Sequence, residues 1–270
     1  MLGRGVEVKT PEQIEAMRVA GLLTCRTLEL LRAAVRPGVT TAELDALAEA
    51  HIRDHGGVPS FLGYGTPPFP GSICASVDDV VVHGVPGPLA LAEGDVVSID
   101  CGAIVDGWHG DAAITVPVGA VPEKVTRMIA VAEDAMWAGI AAAHVGGRVS
   151  DISRAVEGCV RAAGEYGILR HFTGHGIGTA MHQAPDVPNY GGSVRTRLRP
   201  GLALAVEPMI TLGSSEWLVD DDEWTIRTDD GSWSAHVEHT FALTERGLWV
   251  LTAEDGGRTR LGAAYGGPNV

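Results

Sequence analysis

Apolar positions recur at helical spacing through Ile14, Met17, Leu22, Leu28 and Leu31, tracing one face of an amphipathic helix. Thr10 reads as its N-cap, with Pro11 at the first helical position and Gln13 closing a capping box; Pro37-Gly38 stops it. A second box, Thr40 to Glu43, opens a helix through Leu44, Leu47 and Ile52 that ends at Gly56. A Gly/Pro-rich loop (GYGTPPFPGS) follows, then short apolar runs around Ile73 and Val80–Val82. From Asp95 the period changes: DVVSIDCGAIV and DAAITVPVG read as strands on either side of a turn at Asp106-Gly107. Two helices are expected near 122–145 and 150–166. Strands return in LALAVEPMI, around Trp224 and in SAHVEHTFALT, joined in part through Asp229-Asp230-Gly231. The Gly-rich tail, 252–270, is expected to be loose.

The order helices–strands–helices–strands is one plan used twice. LAEGDVVSID and LRPGLALAVE both begin with Leu, place Gly at the fourth position and end on a carboxylate. DAAITV and EHTFAL each set a carboxylate at the head of an apolar strand, and PGVTTAELDALAE matches GGRVSDISRAVEG as a turn followed by a capped helix. Three pairs in the same order indicate a duplicated α+β fold. The chain reads as a single domain, 1–270, with an internal repeat of roughly 11–118 and 122–251.

Composition narrows the picture little. Hydrophobic residues at 45% and charged residues at 20% are ordinary for a soluble globular chain. A formal net charge of −14 argues against a DNA-binding surface. Cys25, Cys74, Cys101 and Cys159 form no CxxC pair and read as reduced thiols. With no apolar signal core at the N-terminus and no run long enough to span a membrane, the expectation is a cytoplasmic protein without membrane contact.

The carboxylates change it more. Asp100 ends an apolar strand, where an unpaired charge is costly to desolvate; alone it reads equally as an Asp capping neighbouring backbone. Glu207 occupies the matching place in the second half, and Asp111 and Glu238 head the strands that follow. Four carboxylates at paired positions of a duplicated fold converge near its pseudo-twofold axis, and divalent cations would compensate them. His175, in FTGHGIGTAMH, adds one imidazole in a glycine-rich surround. That donor set suits Mn, Fe, Co or Zn over Mg or Ca.

VVHGVP, SIDCGA, GWHGDAAIT, FTGHGIGTAMH, AVEPMI and SAHVEHT, in that order, resemble the type I methionine aminopeptidases of bacteria, a likeness running from about Val6 to Leu251. The resemblance implies the "pita-bread" fold, a pseudo-twofold α+β architecture with a curved antiparallel sheet flanked by helices. It implies a metal-dependent aminopeptidase that removes the initiator methionine when the second residue is small, using water activated by two divalent ions per subunit. Carried over by position, Asp100 would be a ligand of one ion, His175 and Glu207 of the other, with Asp111 and Glu238 bridging. Glu207 would also carry the proton towards the leaving amine. His83 and His182 match the two auxiliary histidines, suited to bind the substrate amide and the oxyanion. A methionine pocket would draw on Phe61, Tyr64, Phe69, Cys74, Met181 and Trp224, whose thioether and aromatic groups suit an unbranched sulfur side chain. The implied partners are the N-terminal Met of nascent polypeptides and, transiently, the ribosome, with the enzyme a monomer.

The chain departs from the pattern in three places. The loop YGTPPFPG is longer than the family's usual stretch, which bears on where Phe69 falls. Asp78 stands where Asn is common, near a loop that in relatives can hold a monovalent cation, and Val82 stands where Cys is frequent. Two other readings stay open at this point: a proline-specific dipeptidase of the same fold, and a non-catalytic pita-bread binding module.

Overall fold

Both capping boxes are formed. Thr10 Oγ1 accepts from the Gln13 amide at 3.3 Å while Gln13 Oε1 accepts from the Thr10 amide at 2.9 Å. Thr40 and Glu43 exchange the same pair of bonds at 3.1 and 2.8 Å. Each box satisfies amides that a helix start otherwise leaves without partners, and the two begin helices α1 (Pro11–Ala34) and α2 (Thr41–Asp54). Helices α3 (Glu123–Ala142) and α4 (Val149–Ala163) stop short of the expected ends. Ala143 leaves α3 in an extended conformation, and Gly164 at φ +154° turns the chain out of α4. These elements come from a computed structural model that describes residues 6–192 and 194–268.

The main sheet has nine strands, all paired antiparallel. Its centre is the pair Trp108–Pro117 and Glu238–Thr244. Outward on one side lie Val96–Val105 and then Ile73–Val77; on the other lie Ala203–Val206, Gly174–Gly176 and Gln183–Val187. The two halves therefore repeat about the central pair, as the sequence repeat requires. Asp106 and Gly107, at φ +49° and +80°, form the two-residue turn between Val105 and Trp108.

One face of the sheet is covered by helices. Leu28 and Leu31 of α1 and Leu44 and Ile52 of α2 bury Ile73, Val97, Ile99 and Cys101. On the second half, Met128 and Met136 of α3 and Ile152 and Val156 of α4 bury Leu204, Val206, Phe241 and Leu243. Alternate residues, Ser98, Asp100, Asp111 and Thr115 among them, face the other way. Helix α1 approaches backbone to backbone: a Cβ on Gly110 would lie 2.6 Å from the Gly21 amide nitrogen.

Five expectations need correction. Asp100 and Asp111 lie inside their strands, Val96–Val105 and Trp108–Pro117, because the hairpin turn comes beyond both. LALAVEPMI is two strands, Ala203–Val206 in the main sheet and Met209–Thr211 in a small three-stranded one, since Pro208 has no N–H for the ladder. SAHVEHTFALT divides in the same way at Val237, between Ser234–His236 and Glu238–Thr244. Trp224 sits in the turn between Trp217–Val219 and Ile226–Thr228, not in a strand. Residues 253–268 are built into the fold rather than loose, and 269–270 lie outside the described residues. Arg18 donates to the carbonyls of Val250, Leu251, Ala253 and Glu254, and Leu261 is buried. Among the described residues no helix is long and apolar enough to cross a membrane.

Candidate metal centre

Sheet register brings the carboxylates together. Cys74 is opposite Asp100, Asp100 opposite Ala113, and Ala113 opposite Glu238. Directly opposed residues share a face, and Asp111, two residues before Ala113, shares it too. His239 pairs with Val206, so one more step in register sets Glu207 beside Glu238. Gly176 pairs with Leu204, which puts His175 next to Ala205, on the face of Glu207. The row crosses both halves of the repeat, as the paired carboxylates demanded.

Asp111, His175 and Glu238 each offer a ligand atom within 4.8 Å of the others. His175 Nε2 is 3.9 Å from Asp111 Oδ2, 3.9 Å from Glu238 Oε1 and 3.5 Å from Glu207 Oε1. Among the described residues no Lys or Arg lines the cavity in which these groups meet. Burial dominates their protonation: it pushes Glu207 up to about 8 and Asp100 up to about 7, His236 opposing the rise at Asp100 and Glu207 adding to it. Asp111 and Glu238 are also raised, first by burial and then by neighbouring carboxylates.

Asp100 Oδ1, Asp111 Oδ1 and Glu238 Oε1 are buried without a hydrogen-bond partner among the described residues. Oxygens left in that state are costly unless a cation meets them, so the donor set fits divalent ions. His175 fits as well. Its Nδ1 donates to the Gly176 carbonyl at 3.0 Å, which fixes the tautomer and leaves the Nε2 lone pair for a metal. The flanking glycines permit this placement: a Cβ on Gly174 would lie 2.3 Å from the Ala205 carbonyl oxygen, and one on Gly176 2.4 Å from that of Ala184.

A cavity of about 290 Å³ opens on the row. Phe61, Phe69, Cys74 and Met181 form one buried apolar cluster with Trp224 packed against it. The long loop folds back on itself through Gly63 N to Phe69 O and Phe69 N to Tyr64 O, both 2.8 Å, and so delivers Phe69 edge-on to Trp224 at 5.3 Å. Tyr64, on the rim, has its hydroxyl 2.6 Å from His182 Nδ1. The His182 ring lies 4.4 Å from that of His175. His83, held at φ +59°, stands edge-on to Phe172 and Trp224, and burial lowers it to about 4. Every residue expected at the site lines this cavity.

His171, Phe172, Thr173, Met209 and His236 line it too, without having been singled out. Their signal was adjacency: each lies within four residues of a ligand in sequence. Adjacency alone misleads, however. His109 bonds Ser60 Oγ at 3.1 Å outside the cavity, and His239 faces α3, its ring 5.1 Å from that of Trp137.

Comparison with known proteins accords with this geometry. Residues 15–245 match the model of metallopeptidase family M24. The chain is 46% identical over 256 residues to "Methionine aminopeptidase 1" of Mycobacterium tuberculosis, covering 92% of this chain and 96% of that one. The crystal structure of methionine aminopeptidase from Rickettsia prowazekii superposes with a TM-score of 0.88 at 38% identity, over 92% of this chain and 100% of the other. A prolidase from Pyrococcus furiosus shares the fold alone, with a TM-score of 0.74 at 22% identity over 91% of this chain and 65% of that one. The extent of the family match and the level of identity lead to one conclusion: the chain belongs to metallopeptidase family M24.

Proposed function

We propose that the chain removes the N-terminal methionine from nascent polypeptides and peptides whose second residue is small. One observation carries the reading. The apolar cluster begins at Cys74, directly opposite Asp100 in the carboxylate row, so recognition of a thioether side chain and the reacting centre are adjacent.

In this reading Asp100, Asp111, His175, Glu207 and Glu238 would together hold two divalent ions. Oxygen donors with a single imidazole suit Mn, Fe, Co or Zn. When bound, such ions polarise a carbonyl and make water acidic enough to attack it. Glu207 would carry a proton from the attacking water towards the leaving amine. His182, steadied by the Tyr64 hydroxyl, and His83, braced by Phe172 and Trp224, donate to the substrate amide and to the oxyanion that develops on its carbonyl. The aromatic walls exclude water from the methionine side chain.

The reading includes a single catalytic domain acting as a cytoplasmic monomer, with transient ribosome association. It also includes a monovalent cation near the loop of Asp78. The test is to incubate metal-loaded protein with Met-Ala-Ser, Met-Lys-Ser and Ala-Pro. Release of Met from Met-Ala-Ser alone is the expected result. Preference for Ala-Pro would favour a proline-specific dipeptidase, and no turnover with any of several divalent ions would favour a binding module.

A further inference from the structure

His236 Nε2 is buried and has no hydrogen-bond partner among the described residues. Glu207 Oε2 lies 3.5 Å from it. The other oxygen of that carboxylate, Oε1, is 3.5 Å from His175 Nε2. Glu207 therefore stands between two imidazoles, one facing each oxygen.

We propose that His236 is a positioning residue for Glu207: its Nε2–H donates to Oε2 and keeps Oε1 turned towards His175 and the ion they share. The inference rests on the metal-centre reading above. A carboxylate that is both ligand and proton carrier needs its two oxygens held to different tasks. A donor on one oxygen does this, because rotation of the carboxylate would break the bond. Spacing of 3.5 Å is long for such a bond, and contacts of this kind tighten when ions and substrate bind.

The surroundings of His236 are built to hold it. Its backbone N–H lies 3.2 Å from Ser98 Oγ and 3.1 Å from Thr115 Oγ1, and its carbonyl accepts from Thr115 Oγ1 at 2.7 Å. Ser98 and Thr115 are a directly opposed pair on the strands that carry Asp100 and Asp111, their hydroxyls 2.9 Å apart. On its other side His236 pairs with Met209, two residues beyond Glu207. The Glu207 carbonyl is itself held by Asn189 Nδ2 at 2.9 Å. The first half of the repeat thus clamps a residue of the second half, and that residue's free ring nitrogen faces a ligand of the second half. Packing alone would be served by an apolar side chain of similar size, with no buried donor to satisfy.

The experiment compares H236L and H236Q with the parent by Co2+ titration of the apoproteins, followed by calorimetry and visible absorption, and by steady-state cleavage of Met-Ala-Ser. H236L is expected to weaken Co2+ binding and to lower kcat, each by about 10- to 100-fold, with altered Co2+ absorption and little change in KM. H236Q, whose amide nitrogen can donate to the same oxygen, is expected to recover most of both. Unchanged Co2+ affinity and spectrum in H236L would overturn the proposal. So would an H236Q as impaired as H236L at equal Tm, since only volume would then matter. Should H236L fail to fold, H236N, whose amide stops short of Glu207, replaces it. If the parent binds Co2+ but leaves Met-Ala-Ser intact, the substrate reading fails while the titration still decides the role of His236.

Discussion

Stripping divalent ions from the centre turns its carboxylates from ligands into buried acids, and stability should then fall as pH rises. In the ion-free protein burial raises Asp100 to about 7 and Glu207 to about 8. Unfolded, the same groups return to about 3.9 and 4.3. Both folded values exceed the unfolded ones, so between these limits the native state binds more protons. The stabilisation is complete below about pH 4 and is lost as pH rises through about 7 and 8. A shift of roughly three units corresponds to about 4 kcal/mol for either group taken alone. That is a large share of the roughly 5–15 kcal/mol by which a domain is usually stable. Bound ions reverse the sign, because ligation requires ionised carboxylates and therefore strengthens with pH. The assay is urea unfolding followed by circular dichroism at several values between about pH 5 and 8.5, with chelator and with excess Co2+. The chelated midpoint should fall across that range and the Co2+-loaded one should not. A flat or rising midpoint in chelator, or the same slope in both series, would refute the reasoning.

Three further outcomes follow from the geometry. Replacing Cys74, buried beside Asp100, by Trp should fill the floor of the apolar cluster and abolish release of methionine, while Co2+ titration stays close to that of the parent. Glu207→Gln keeps one oxygen for the ion but cannot carry the proton; kcat should drop by about 10²- to 10⁴-fold with the far-ultraviolet spectrum unchanged. Gly110→Ala places a methyl 2.6 Å from the Gly21 nitrogen and should cost about 1–3 kcal/mol as α1 is pushed outward, read as a lower Tm in calorimetry. A Gly110→Ala Tm equal to the parent's would show that α1 yields freely.

Local signals in the sequence carried far where short-range chemistry decides the outcome. The two capping boxes and the Asp106-Gly107 turn are satisfied within a few residues of chain, and each forms as read. The repeat was legible because Asp100 matches Glu207 and Asp111 matches Glu238 in order, and the sheet sets those pairs about its central strands. What escaped is long-range. That the chain leaves one sheet for another at Pro208 and Val237 depends on which strands lie alongside, and continuous apolar runs conceal it. His236 stood beside a site motif but carried no role in the sequence for the same reason, since its backbone is held by Ser98 and Thr115, more than a hundred residues away. The tail misled through its glycines: they suggest freedom, but Gly256 and Gly257 occupy positive-φ positions that let it turn back onto Trp249 and Val250.

The row from Cys74 through Asp100, Ala113 and Glu238 to Glu207 makes the hydrogen-bond ladder a measuring device. Side chains alternate strictly along a strand, so a slip of one residue in any of these pairings would carry a ligand from the cavity into the layer packed by helices. The ions would then be refused by a sheet whose backbone bonds were otherwise complete. Length variation is accordingly cheap in the loop before Phe69, which stands outside the ladder, and forbidden between Val96 and Pro117, where one inserted residue would cost the centre its alignment. Ala113, chemically inert, keeps the count between Asp100 and Glu238.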